Sequence, residues 1–187
     1  MVDNTFLKLM TINRFSNKRF MVPDTDGDHT IRMQLMALYL YNKCPLFNII
    51  DTSFRILCHD LEECWMCDIP RPVKYHDEKI LGELRRVQGE LVDKDNVNQT
   101  IRHFMNSAKD DSVEGRVVAF LDIWDAYLSL KREAWMQHSD ELLTDSEWSM
   151  KLIQKMKKEL GEDETFPKPL FQEISGVIDS DVPFSWS

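Results

Sequence analysis

Apolar residues recur three and four positions apart along most of the chain, the spacing that places side chains on one face of an α-helix. This pattern predicts a short helix at residues 6–10 and longer helices at 28–43, from 51 or 52 onward, 77–92, 97–106, 113–135 and 144–160. Asp28 is the expected N-cap of the second helix, and Thr144 with Glu147 forms an expected capping box for the last. Strand signals are scarce. We therefore predict an all-α protein, folded as a single domain over residues 1–187.

Four stretches interrupt the helical spacing. Residues 11–27 are predicted to form a loop that carries Arg14, Phe15, Lys18 and Arg19. Residues 68–72 hold two prolines and should be extended, with Lys74 just beyond. The charged run 109–111 is predicted to be a solvated linker. The tail, residues 165–187, alternates proline with large apolar residues, which suggests that it packs on the body of the protein or on a neighbouring subunit.

Composition narrows the classes of function. The formal net charge of −9 disfavours binding to nucleic acid, because phosphate backbones are held mainly by clustered lysine and arginine. No apolar run approaches the length of a membrane span, and the N-terminus lacks a basic segment followed by an apolar one. We therefore expect a protein with no membrane or nucleic-acid partner, located in the cytoplasm, or in the host cytoplasm if the chain is phage-encoded.

The four cysteines include one C-x-x-C spacing, at Cys64 and Cys67. Such a pair can clamp zinc, act as a redox couple or be purely structural. Without a second C-x-x-C or a spaced histidine pair, the structural interpretation is favoured, and Cys58 is predicted to be a small core residue.

Candidate metal ligands lie in helices that are otherwise rich in apolar residues. Four of these residues would lie against a core, namely His29, His59, Asp60 and Asp122. Charged and imidazole groups in such surroundings need a partner, and a divalent metal ion is a suitable one. Each has an alternative interpretation. His29 can bond a backbone carbonyl, Asp60 can be an ordinary helix carboxylate, and Asp122 can pair with Lys131 or Arg116. Asp125 is the rival to Asp122.

Glu63 lies one turn beyond His59 in the predicted helix, so that Ile56, His59, Asp60 and Glu63 would share one face. Glu63 is thereby placed to position or deprotonate a water, with Glu62 as its more exposed rival. Asp68 is a second candidate acid, able to hold another water or to protonate a leaving oxygen.

Taken in order, these residues resemble the HD-domain metal-dependent phosphohydrolases, and within them the 5'-deoxynucleotidases and deoxynucleoside triphosphate phosphohydrolases of bacteria and phages. The resemblance covers residues 12–135. It rests on Arg14-Phe15, His29, His59-Asp60-x-x-Glu63, Asp68-Ile69-Pro70-Arg71-Pro72-Val73-Lys74 and Asp122. Phe15 departs from the group, whose members commonly have tryptophan there.

The resemblance implies a compact helical bundle of the HD-domain type. It also implies one divalent metal ion, held by His29, His59, Asp60 and Asp122. The ion would be cobalt, manganese, iron or zinc, with magnesium as a further option. Glu63 and Asp68 would be catalytic. Arg14 and Lys74 would bind phosphate, and Phe15 would stack on a base or pack on a deoxyribose.

The implied reaction is hydrolysis of the 5'-phosphoester of a deoxynucleotide. The products would be a deoxynucleoside with phosphate from a monophosphate, or with tripolyphosphate from a triphosphate such as dATP. Members of the group commonly form dimers or larger rings, so we expect a homo-oligomer, dimer or hexamer. Two alternatives remain open, namely an HD phosphohydrolase for a cyclic or alarmone nucleotide, and a non-catalytic interaction protein that retains a metal site.

Overall fold

The structure, a computed structural model, describes residues 5–69 and 76–180. Helices make up most of this part, and no strand occurs within it, although a single bridge pairs Asn13 with Thr25. The all-α prediction is confirmed. The helices are α1 (Thr5–Lys8), a 3₁₀ turn (Leu9–Thr11), α2 (Asp26–Lys43), α3 (Ile49–Cys58), α4 (Glu63–Met66), α5 (Glu78–Lys94), α6 (Gln99–Ser107), α7 (Val113–Gln137), α8 (Asp140–Glu162) and α9 (Lys168–Ser180).

Helix α7 is the central element of the bundle, in contact with α2, α3 and α8. Val117, Leu121 and Trp124 are fully buried in it, and buried positions lie on several sides of the helix. A helix surrounded by neighbours also buries any polar residue it carries. Asp122 and Asp125 are therefore held in the interior, where each requires a polar or charged partner.

Two predicted helix starts are wrong by several residues, because other side chains cap them. Helix α2 begins at Asp26, with Thr25 as the N-cap. Thr25 Oγ1 accepts from the Asp28 backbone N–H at 3.1 Å while Asp28 Oδ2 accepts from the Thr25 N–H at 3.1 Å. Helix α8 begins at Asp140 behind Ser139, and the Thr144 hydroxyl donates to a carbonyl within the helix.

The helix that was predicted to carry His59 also differs from the prediction. It starts earlier, because the Asn48 side chain accepts from two backbone N–H groups, and it ends at Cys58. Beyond His59 the backbone bonds run between residues three apart, from Leu61 to Cys58 and from Glu63 to Asp60, before α4 begins. Glu63 therefore lies on a separate short helix and not on the same helical face as His59.

The tail contributes helix α9, which packs on α8 and α2. Its residues Leu170, Ile174 and Ile178 belong to the main core cluster, together with Ile153 and Leu160 of α8. Residues 181–187 of the tail lie outside the described part.

Within the residues that the structure covers, no helix combines the length and apolar character needed to cross a bilayer.

Shortening a core side chain on α9 tests whether this helix folds with the rest. Ile174 is 0% exposed, so Ile174→Ala should leave a cavity and lower the free energy of unfolding by about 2 to 5 kcal/mol. Gln172→Ala, at an exposed position on the same helix, is the control and should change it by less than about 0.5 kcal/mol. Urea unfolding measures both. Equal stability of the two variants would show that α9 is not part of the core.

Candidate metal centre

Four side chains from three separate parts of the bundle converge on one point. His29 comes from α2, His59 and Asp60 follow the end of α3, and Asp122 comes from α7. One ligand atom from each of the four lies within 4.8 Å of all the others. His29, His59 and Asp122 are buried and Asp60 is partly buried. The structure thus brings together the four residues singled out in the sequence.

Hydrogen bonds at the far side of each ring fix which histidine nitrogens face the cluster. His59 Nδ1 lies 2.7 Å from the carbonyl oxygen of Ile56, which can only accept, so this nitrogen carries the hydrogen. His29 Nδ1 lies 2.7 Å from Asp125 Oδ2. Burial favours the neutral form of Asp125, but hydrogen bonds from Arg32 and His29 outweigh it and lower its pKa, so it too accepts. Both Nδ1 atoms therefore donate.

The two Nε2 atoms then face each other at 3.1 Å, and each lies near a carboxylate. His59 Nε2 is 3.0 Å from Asp60 Oδ2, and His29 Nε2 is 3.4 Å from Asp122 Oδ1. Lone pairs and anionic oxygens cannot be gathered in a buried site without a cation between them.

Arg14 and Lys109 supply positive charge beside the two carboxylates, and a proton on His29 or a metal ion can supply it between the two Nε2 atoms. Burial and the charge of Arg14 lower the pKa of His29, yet its hydrogen bonds to Asp122 and Asp125 outweigh them and raise it. A set of two imidazole nitrogens and two carboxylate oxygens is also one that divalent transition metals accept, and it leaves positions open for water or substrate. The residues present therefore fit a metal ion.

Asp125 supports the centre from behind and does not join the cluster. Its carboxylate accepts from His29 Nδ1 and, at 2.7 and 2.9 Å, from the Arg32 guanidinium. Arg32 in turn donates to both oxygens of Asp24. This chain of charged hydrogen bonds fixes the orientation of the His29 ring. Sequence reasoning missed Arg32, although its position three residues after His29 on a helix is the signal that could have found it.

Arg14 reaches the centre from the loop before α2. Its guanidinium nitrogens lie 3.4 Å from Asp60 Oδ2 and 3.9 Å from Asp122 Oδ1. Its Nε is buried and finds no acceptor among the described residues. Phe15 lies beside it, with the Arg14 guanidinium carbon 5.4 Å from the ring centroid, and stacks on Phe20 at 4.9 Å. Phe15 adopts a positive φ of 52°, a backbone conformation uncommon outside glycine.

This loop is tied down at several points. The Ser16 backbone N–H donates to Asp68 Oδ2 at 3.1 Å, which joins the two loops predicted from the sequence. Lys18 is bound to Glu141 and Asp145 of α8, and the Arg19 carbonyl accepts from Gln137. Lys18 is therefore committed to α8, and Arg14 is the loop cation that reaches the centre. Lys74 lies outside the described residues.

The run 109–111 is an exposed segment between α6 and α7, as predicted, but Lys109 within it also reaches the centre. Its Nζ lies 2.7 Å from Asp122 Oδ2 and 4.0 Å from Asp60 Oδ1. The residues proposed in the sequence to neutralise Asp122 bind elsewhere, Arg116 to Asp163 and Lys131 to the Tyr127 hydroxyl. No helical period marks Lys109, because the short segment between α6 and α7 brings it back to the centre.

A second pair of acids lies beside the centre. Asp26 is 0% exposed, and neither of its carboxylate oxygens has a hydrogen-bond partner among the described residues. A buried carboxyl group without a donor is costly in its charged form, so these surroundings favour the protonated form. Burial and the charges of Asp60 and Asp26 raise the pKa of Glu63 to about 11, and burial raises that of Asp26 to about 6. Asp26 was not identified from the sequence.

A cavity of about 300 Å³ opens beside the centre. His59, Asp60, Glu63 and Lys109 form the part of its wall that belongs to the centre. Glu62 also lines the cavity, so a position in the cavity wall does not decide between Glu62 and Glu63 as the candidate acid. The remaining wall comes mainly from residues 66–69 and from α5 and α6.

The cysteines are all reduced. Cys58 is buried, as predicted, and burial raises the pKa of its thiol to about 11. The group of possible metal ligands that the described residues form contains neither Cys64 nor Cys67.

The fold is that of HD-domain phosphohydrolases. An HD phosphohydrolase (DatZ) from cyanophage S-2L, whose structure holds dA and one catalytic Zn²⁺ ion, aligns with a TM-score of 0.74 at 16% identity, over 96% of this chain and 95% of that one. An HD-domain phosphohydrolase from Listeria innocua aligns with a TM-score of 0.66 at 18% identity, over 96% and 97%. A conserved hypothetical protein from Pyrococcus furiosus aligns with a TM-score of 0.67 at 18% identity, over 92% and 96%.

The chain belongs to the YfbR-like family of 5'-deoxynucleotidases, whose family model matches residues 4–174. No curated protein matches it by sequence.

The raised pKa values of Asp26 and Glu63 predict a specific dependence of stability on pH. Because both pKa values are raised in the folded protein, the folded state holds protons that the unfolded chain releases, and stability falls as pH rises above about 4. Asp26→Asn removes one acid of the pair, so its unfolding free energy should fall less between about pH 5 and pH 8 than that of the wild type.

Urea unfolding in chelator at the two pH values measures this difference, with Asp111→Asn, at an exposed position, as control. If Asp26→Asn and the wild type lose the same stability, the pKa of Asp26 is not raised in the folded protein.

Proposed function

We propose that this chain hydrolyses the 5'-phosphoester of deoxynucleotides at one divalent transition metal ion held by His29, His59, Asp60 and Asp122. The observation that carries the proposal is the convergence of two imidazole Nε2 atoms and two carboxylates in a buried site beside a cavity. Membership of a 5'-deoxynucleotidase family supports the substrate class. The whole chain, residues 1–187, is proposed to work as one HD-type domain.

When bound, the ion lowers the pKa of a coordinated water and neutralises charge on a phosphoryl oxygen. Zinc is the first candidate, since the structure of the phage relative, DatZ, holds a catalytic Zn²⁺. Manganese, cobalt and iron suit the same mixed nitrogen and oxygen donors, and magnesium is a further option.

The Asp26–Glu63 pair is proposed to act as the proton acceptor. At neutral pH it holds one proton and one negative charge, so it retains a site for a proton from the attacking water. Asp68 is proposed to protonate the leaving oxygen or to hold a second water. Asp68 also accepts a hydrogen bond from the Ser16 backbone N–H, which holds the loop that carries Arg14 and Phe15 next to Asp68.

The phosphate is proposed to bind between Arg14 and Lys109. Both cations lie within 4.0 Å of the acids of the centre, and the buried Nε–H of Arg14 remains available to an anionic oxygen. Lys74 is proposed as a third phosphate ligand on the basis of the sequence motif alone. Phe15, packed on Phe20 beside Arg14, is proposed to contact the deoxyribose.

The reaction is tested by incubating the metal-loaded protein with all four dNMPs and all four dNTPs and identifying the products. Phosphate from monophosphates or tripolyphosphate from triphosphates is the expected result, because the same ester bond breaks in both. A protein that releases neither with zinc, manganese, cobalt or iron is not a deoxynucleotide hydrolase.

Two variants separate metal binding from proton transfer. Asp60→Ala should lose both the ion and turnover, because it removes a charged ligand. Glu63→Ala should keep the ion but lose turnover by about 100-fold or more. Metal content and product release are measured together, with the exposed Glu164→Ala as control. An Asp60→Ala variant with ordinary turnover would contradict the site.

A homo-oligomer, dimer or hexamer, is proposed from the apolar side chains that α2 exposes. Ile31, Leu35 and Leu38 are 41–52% exposed and lie on one face, because their spacing is four and then three. Leu38→Lys should lower the molar mass measured by light scattering. Leu143→Lys, at a similarly exposed leucine of α8, should leave it unchanged. A wild-type protein with the mass of one chain would contradict the proposal.

A further inference from the structure

One face of α5 forms part of the cavity wall. Its residues lie farther along the chain from those of the metal centre than the rest of the lining does. Leu81, Leu84, Arg85 and Gln88 all line the cavity, and their spacing of three, four and seven places them on the same side of the helix. This face extends over about 10 Å at 1.5 Å per residue, long enough to follow a ligand that starts at the centre. Met105 and Asn106, near the end of α6, complete this part of the wall.

The lining divides by chemistry into two parts. The part that belongs to the centre carries His59, Asp60 and Lys109, groups suited to an ion and a phosphate. The other part has apolar side chains at Ile69, Leu81, Leu84 and Met105, and Gln88 and Asn106 contribute amides to the same lining. Apolar surfaces around a few directed polar groups are typical of sites for small organic ligands.

Charge excludes a second phosphate site as the main role of this part. Glu62 and Asp110 line the same cavity and repel anions, and Arg85 is the sole cation that α5 contributes to the described lining. With the phosphate held near Lys109 and Arg14, the apolar and amide part of the wall is left for the nucleoside.

We propose that Gln88 and Asn106 bind the edge of the substrate's base in this cavity, and that adenine is the preferred base. The inference rests on the proposed function, which places the phosphate at the centre. A carboxamide offers a donor and an acceptor side by side, and this pair matches the N7 acceptor and the N6 amino donor of adenine in a bidentate arrangement. The leucine and methionine side chains pack against the faces of the base.

Binding of deoxynucleosides tests this assignment without turnover, because they carry no phosphate to release. Equilibrium dialysis of deoxyadenosine, deoxyguanosine, deoxycytidine and thymidine is done against the full chain, loaded with the metal that supports turnover. Wild type should bind deoxyadenosine most tightly. Gln88→Met and Asn106→Leu should each weaken its binding by about tenfold or more and reduce the preference over the other three.

The control is Gln154→Met, which makes the same exchange at an exposed position of α8 that is absent from the cavity wall. Metal content and thermal unfolding are measured for every variant, so that loss of the fold is distinguished from loss of the base contact. Two variants on different helices protect the test against misfolding of one.

The outcomes separate this inference from the proposed function. If the protein hydrolyses deoxynucleotides, but wild type binds the four nucleosides equally or both variants keep wild-type affinity for deoxyadenosine, the base assignment is wrong and the proposed function stands. If no deoxynucleotide is hydrolysed with any metal, the proposed function and this inference fall together.

Discussion

The structure depends on one buried site that requires a positive charge. The Nε2 atoms of two histidines and two carboxylates meet there, in a bundle whose central helix α7 is surrounded by neighbours. Gathering these groups in the interior costs free energy unless a cation lies among them. The fold can hold such an arrangement because apolar packing of α7 against α2, α3 and α8 supplies the compensating stability.

The residues around this point are organised to keep it in one geometry. Asp125 and Arg32 fix the ring of His29, and the carbonyl of Ile56 fixes that of His59. A ligand whose far side is bonded keeps its tautomer and its direction, which is what metal sites require. Arg14 and Lys109 then place positive charge beside the carboxylates of the centre, where we propose that the phosphate binds.

Periodicity predicted the helices well where they are long and apolar, as in α7. The residues of the candidate metal centre stood out because histidine and aspartate are unusual in such surroundings. Local capping was predicted less well. Ser139 and Thr25 act as N-caps in positions where several candidates compete, and only the surrounding packing selects one.

Contacts between segments far apart in sequence could not be predicted. Lys109 looked like part of a solvated linker, since nothing local shows that the chain returns to Asp122 there. Asp26 looked like a helix-start residue, and its pairing with Glu63 depends on how α4 is placed beside α2. Both residues belong to the site because of tertiary structure, which a spacing pattern does not encode.

The central claim is tested most directly by anomalous diffraction from crystals of the protein grown with zinc or manganese. The account predicts one ion per chain, bound by Nε2 of His29 and His59 and by one oxygen each of Asp60 and Asp122, with at least one further position open to solvent. An ion bound elsewhere, or histidine rings turned so that Nε2 faces away from it, would contradict the account.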